Sequence, residues 1–246
     1  MRTRSRAFTP AWICASTSEA RAATESAPLN VEQRYRLIYK PLVFIASLGP
    51  VAWLLMGGFG VLGQSLGPDP IKLTLHTIGK TALNFLMLTL MVTPVRYLTG
   101  SAHILRIRRM LGLFAFFYAL LHFLIYLGLD QELDFAGVTK DIVKRPYITI
   151  GFIALLLLIP LAATSTNKMM RRLGRRWQKL HRLVYAIAIL GVWHYYWQVK
   201  RDVTEPLIYA AVLALLLGYR AMRSRRKRQP VAATSKSVSA TVPERT

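Results

Sequence analysis

The 246-residue chain holds one cysteine, Cys14, so no intrachain disulfide can form and no paired-cysteine motif can hold a metal or attach a cofactor. Carboxylates are scarce as well: 11 Asp and Glu stand against 33 Lys and Arg, for a formal net charge of +22. No Gly-rich dinucleotide fingerprint occurs in a strand-turn-helix setting, which excludes a built-in nicotinamide and flavin module. Nor is there an internal repeat or a grouping of acid, base and nucleophile, so chemistry on a substrate is expected elsewhere.

What the chain does have is apolar length. Hydrophobic residues make up 53% of it, more than a soluble domain carries. Crossing a hydrocarbon core of about 30 Å takes roughly 20 helical residues. Six runs approach or exceed that length, at 41–62, 73–95, 110–129, 147–164, 180–198 and 205–222. The basic residues fall in stripes between them. Residues 1–40 hold seven, 95–110 hold Arg96, Arg106, Arg108 and Arg109, 165–180 hold six, and more follow Arg220. The intervening loops are different: one lysine between Gly63 and Lys72, four acids against Lys140, Lys144 and Arg145 in 130–146, and Lys200 and Arg201 balanced by Asp202 and Glu205.

Lysine and arginine accumulate on the cytoplasmic side of short loops. The alternation therefore predicts an all-α membrane protein, a six-transmembrane-helix bundle with both termini cytoplasmic. Five or seven spans would place a strongly basic loop on the wrong side. Charge laid in stripes beside apolar helices suits anionic lipid headgroups, not nucleic acid. The clustered arginines of 165–180 also suit a flavin or another phosphate. Residues 1–34, a basic extension, and 226–246, a tail rich in Ala, Ser, Thr and Val, read as disordered flanks of one membrane domain, 35–225.

Five histidines remain to be explained: His76, His103, His122, His181 and His194. Ionisable residues within spans mark function by default, and cofactor sites in helical bundles are assembled from inward-facing side chains of different helices. At 1.5 Å per residue, His122 lies roughly 18 Å along its helix from the cytoplasmic side and His194 roughly 20–25 Å along its own. The two can face each other in the outer half, the arrangement of a bis-histidine haem b. His181 lies on the order of 20 Å below His194 and, at about 100° per residue, about 220° around the helix. A bend or π-bulge at Gly191 would reduce that mismatch. For His181 two readings stand, a ligand to a second haem near the cytoplasmic surface or a helix cap. For His76 two also stand. With Lys80 one turn on, it suits a haem propionate or a quinone headgroup; alternatively it is an interfacial histidine above a snorkelling lysine. His103, in a basic loop, reads as solvated.

The blocks DPIKLTLHTIGKTAL (69–83), RRMLGLFAFFYALLH (108–122), RPYITIG (145–151) and TSTNKMMRRLGRRWQKLHRLVYAIAILGVWHYYW (164–197) carry a resemblance. In order and spacing over about residues 35–225 they resemble the MsrQ family, haem-binding membrane subunits of bacterial protein-methionine-sulfoxide reductase systems. More distantly they are similar to ferric-reductase-like transmembrane domains. The resemblance implies a multi-pass protein of the bacterial inner membrane that binds haem b, one or two, and FMN. It places the haem histidines at His122, His181 and His194. It also implies a heterodimer with a periplasmic molybdopterin-containing, MsrP-like catalytic subunit that repairs oxidised methionines. Quinol or a cytoplasmic flavin reductase would be the electron donor. Ferric-reductase-type domains usually carry two histidines on each of two helices; here Arg108 or Arg109 stands at the level of the lower one. A standalone metal reductase and a histidine-based metal or proton transporter are the alternatives.

Overall fold

The computed structural model describes residues 33, 35–61, 67–100, 104–199 and 202–228. The N-terminal extension through residue 32, with Cys14, the loop residue His103 and the tail beyond Arg228 lie outside the described residues. Among the described residues every regular element is helical.

Two compact units divide the chain, 1–46 and 47–246, and the boundary falls within α1 (Lys40–Gly58). In the first unit a π-helical turn, Tyr35–Tyr39, leads into α1, and Leu37, Leu42, Phe44 and Ile45 are exposed. The second unit holds the rest of α1 and eight further helices: α2 (Pro70–Thr99), α3 (Ile104–Ile125), α4 (Phe135–Lys144), α5 (Pro146–Ala163), α6 (Asn167–Leu173), α7 (Arg175–Leu180), α8 (Leu183–Gln198) and α9 (Thr204–Arg228).

Local chemistry sets where these helices begin and end. Asp69 accepts a hydrogen bond from the Lys72 N–H at 3.1 Å, and Pro70 opens α2 where a missing N–H costs nothing. Gly100, at φ 69°, closes α2 in the left-handed region. Asp134 caps α4 through the Ala136 N–H, and Pro146 opens α5. A π-helical turn, Tyr126–Asp130, ends α3.

Four helices close a ring: α2 packs along α3, α3 against α5, α5 along α8, and α8 against α2, while α9 leans on α2 and α8. Leu90 and Tyr118 are fully buried, Phe85 stacks between Phe114 and Tyr118, and the Tyr118 hydroxyl donates to the Ser47 carbonyl at 2.6 Å. Outward, Leu88, Met91, Leu113, Phe117, Leu156, Ile159 and Leu215 are exposed. In water such a surface would be an aggregation hazard, whereas lipid solvates it.

Among the described residues five helices are long and apolar enough to cross a membrane: Leu37–Gly58, Pro70–Thr99, Ile107–Asp130, Pro146–Ala163 and Thr204–Arg225. The expected run at 180–198 is shorter than the sequence suggests. The chain turns at His181 and Arg182, and α8 keeps 16 residues, about 24 Å at 1.5 Å each. That turn also replaces the bend anticipated at Gly191, through which α8 runs without interruption. The two ends of the bundle differ in charge. Every described acidic residue, Asp69, Asp130, Glu132, Asp134, Asp141, Asp202 and Glu205, lies in or beside the 58–70, 130–146 and 199–205 connections. The opposite end, where 104–109, 164–182 and 220–225 lie, has only basic charge among the described residues.

Candidate cofactor site

The four-helix ring encloses a cavity of about 620 Å³ toward the acidic end, the size range of cofactor sites. His122 from α3 and His194 from α8 both line it, with ring centroids 6.3 Å apart and ring planes at 78°.

Each imidazole is fixed in the same way. Nδ1 of His122 lies 3.1 Å from the Leu75 carbonyl of α2, and Nδ1 of His194 lies 2.7 Å from the Tyr147 carbonyl of α5. A carbonyl can only accept, so in each ring Nδ1 carries the proton and Nε2 keeps its lone pair. Each acceptor lies one helical turn before a glycine, Leu75 before Gly79 and Tyr147 before Gly151. A Cβ on Gly79 would meet His122 Cε1 at 3.1 Å, and one on Gly151 would meet His194 Nδ1 at 2.7 Å. The glycines make the space in which the rings lie, which explains two residues that weaken a helix interior. The geometry is therefore doubled: a glycine floor, a carbonyl acceptor and an outward Nε2 on either side of one cavity.

Such a pair suits the two axial positions of a macrocyclic metal complex. Two metal–nitrogen bonds of about 2 Å, plus the ring radii, span on the order of 6 Å. A bare metal ion would need three or four protein donors. Among the described residues no group of three or more His, Cys, Asp or Glu comes together. Leu83, Leu86, Ala115, Phe123, Phe152 and Ile187 give the cavity apolar walls. At its polar mouth, Arg145 pairs with Asp141 at 3.2 Å. A hydrogen bond with Tyr147 and the Asp141 carboxylate hold that guanidinium above even its usual range, so it stays charged.

The other histidines separate by the same test. His181 sits in the turn before α8, its ring stacked on Trp177 at 3.9 Å and its Nδ1 donating to the Trp177 carbonyl at 3.1 Å. Its Nε2 is buried and makes no hydrogen bond of normal geometry among the described residues, although the Leu161 carbonyl of α5 lies close to the ring. Arg108 of α3 lies within electrostatic reach of it. His76 differs: its Nε2 accepts from the Gln198 amide at 3.0 Å, so the nitrogen a metal would need is taken. Lys80, one turn on from His76, pairs with Glu205 of α9.

Sequence reasoning missed three parts of this site. Gly79 and Gly151 lie inside apolar runs, and a glycine at such a place was the available signal. Glu205 was counted only as loop charge, yet it receives both Lys80 and the Tyr195 hydroxyl and ties α9 to α2 and α8.

Residues 78–192 match the family model described as ferric reductase like transmembrane component. The "Protein-methionine-sulfoxide reductase heme-binding subunit MsrQ" of Xanthomonas oryzae pv. oryzae (strain MAFF 311018) is 48% identical over 209 residues, covering 83% of this chain and 95% of the relative. The protein of the same name from Rhodospirillum rubrum is 52% identical over 188 residues, 76% of this chain and 89% of the relative. That from Xanthomonas axonopodis pv. citri (strain 306) is 49% identical over 200 residues, 80% and 91%. No solved structure matches the chain significantly. At this identity over nearly the whole length of its relatives, the chain belongs to the MsrQ family of protein-methionine-sulfoxide reductase heme-binding subunits.

Proposed function

We propose that this chain is the electron-transfer subunit of a bacterial inner-membrane complex, with His122 and His194 as the axial ligands of a haem b. The paired Nδ1 anchors and the 6.3 Å ring separation carry this reading. Bound there, haem supplies a one-electron carrier with both axial positions filled by protein, which suits electron passage and leaves no open position for a substrate. The chain's own residues fix the ring tautomers, hold the imidazoles at their spacing and keep water from the apolar walls.

In this reading α8 completes a sixth span despite its length, extended at its basic end by the turn at His181, and both termini face the cytoplasm. His181 is assigned as a further axial ligand at the basic end, supported by its buried Nε2, which makes no hydrogen bond of normal geometry among the described residues. With Arg108 opposite, it would be the one histidine on that iron. Electrons enter from quinol or a cytoplasmic flavin reductase and leave to a periplasmic molybdopterin-containing, MsrP-like partner. That partner reduces methionine sulfoxide, a polar lesion that disrupts protein cores. FMN belongs to the same reading as a second cofactor.

The test is a reduced-minus-oxidised absorption spectrum with haem quantitation on protein purified in detergent. A low-spin b-type spectrum is expected, and the haem-to-protein ratio decides between one site and two. His181→Ala should lose part of the haem if two sites exist. Purification without haem after expression with ample haem supply would overturn the assignment. Reconstitution with the periplasmic partner then separates an electron conduit from a standalone metal reductase.

A further inference from the structure

The basic end of the ring contains guanidinium groups turned inward between helices, away from the surface stripe. Pro94 of α2 has no N–H, so the Leu90 carbonyl one turn earlier lacks its helical donor. Arg220 of α9 supplies it. One terminal nitrogen of Arg220 donates to the Leu90 carbonyl at 2.6 Å and to the Thr93 hydroxyl at 2.7 Å. The same guanidinium lies over the Tyr185 ring of α8, 5.1 Å from its centroid. Arg108 of α3 lies within electrostatic reach of both Tyr185 and Arg220. Arg223, one turn on, covers the Tyr97 ring at 3.4 Å and donates to the Tyr219 hydroxyl.

After these contacts are made, Nε and the second terminal nitrogen of Arg220, and Nε of Arg223, are buried with no acceptor among the described residues. No described carboxylate stands at this end of the bundle. Buried like charges with unused donors are strongly unfavourable unless an anion meets them. Several forked donors from two helices, α3 and α9, match the oxygens of a phosphate better than a single carboxylate would.

We infer that Arg108 and Arg220, which meet at Tyr185, together with Arg223 one turn further along α9, form an inward-facing binding site for a phosphate group. The exposed Arg171, Arg172, Arg175 and Arg176 of α6 and α7 are a separate, solvated stripe. The site is defined by arginine donors alone and does not depend on iron at His122, His194 or His181. A phosphate reaches it either as the headgroup of an anionic phospholipid or as a free phosphate, since the site lies where the bundle meets its basic surface.

The test measures thermal unfolding of the full chain in non-ionic detergent by tryptophan fluorescence, at constant ionic strength. The probes are dihexanoyl-phosphatidylglycerol, orthophosphate and, as reference, chloride; haem absorbance is recorded on the same samples. Stabilisation by orthophosphate over chloride indicates a free-phosphate site, and stabilisation by phosphatidylglycerol alone indicates a lipid site. Arg108→Gln should weaken the stabilising probe on the order of tenfold, as expected for lost charged hydrogen bonds. Arg171→Gln on the exposed stripe should not. Because Arg220 also supports α2, Arg223→Gln is the second variant, with an effect in the same direction. If neither probe stabilises the chain beyond chloride, or if Arg108→Gln and Arg171→Gln respond alike, the inference is overturned.

Discussion

A methyl group on Gly151 would meet Nδ1 of His194 at 2.7 Å, nearer than real Cβ atoms approach a neighbour. The contact is with a ring nitrogen already hydrogen-bonded to the Tyr147 carbonyl of the same helix, so the imidazole cannot retreat without losing its anchor. Gly151→Ala should therefore displace His194, at a cost of about 1–3 kcal/mol for overpacking. The cofactor spectrum should broaden or turn partly high-spin. Gly79→Ala, whose Cβ would lie 3.1 Å from His122 Cε1, should act in the same direction more weakly. Absorption spectra of the two variants at matched protein concentration check the order; an unchanged spectrum in Gly151→Ala would sink the account of the glycine floor.

The histidines should sort by which nitrogen is free. His122→Ala and His194→Ala are each expected to abolish the low-spin haem spectrum, because each would remove one of the two proposed ligands. His76→Ala, whose Nε2 already accepts from Gln198, should retain it, and so should the loop variant His103→Ala. Normal haem retention in His194→Ala would refute the ligand assignment. Spectral loss in His76→Ala would show that the Gln198 contact gives way when the site is loaded.

Lys80, Glu205 and Tyr195 join three helices at the acidic end through one carboxylate. Both ionic partners are substantially exposed, with 36% and 54% of their side chains accessible, so screening keeps the contribution small. Glu205→Gln should lower the thermal midpoint modestly in low salt, and raising the ionic strength should shrink the difference from the unsubstituted chain. A loss that does not respond to salt would mean that the Tyr195 hydrogen bond, not the ion pair, carries the effect.

The helical architecture was legible in the sequence because lipid imposes long apolar runs and charge sorts between loops. Asp69, Pro70 and Pro146 likewise announce helix starts by local chemistry. That His122 and His194 lie at matching depths followed from rise per residue, since each sits within an uninterrupted stretch of helix. The turn at His181 did not, because nothing in the run from Lys179 to Leu183 breaks a helix by composition. What breaks it is tertiary: the Trp177 indole donates to the Thr164 carbonyl at the end of α5 and fixes α7 there. The ion pair of Lys80 was out of reach for a related reason. Its helical neighbour His76 is close in sequence, while Glu205 is brought to it only by the packing of α9 on α2.

Pro94 and Arg220 form a complementary pair, and their coupling gives the last prediction. Arg220→Gln should leave the Leu90 carbonyl, fully buried, without its donor, at a cost of about 1–3 kcal/mol for an unsatisfied buried polar group. Pro94→Ala returns a backbone N–H to the turn that Leu90 begins, so α2 can satisfy that carbonyl by itself. The two substitutions should then be non-additive: Arg220→Gln is strongly destabilising in the native background and much less so beside Pro94→Ala. Thermal unfolding of the two single variants and the double variant in the same detergent measures the difference. Equal losses in both backgrounds would mean that Arg220 stabilises the bundle through Tyr185 and Thr93, with the proline's orphaned carbonyl playing no part.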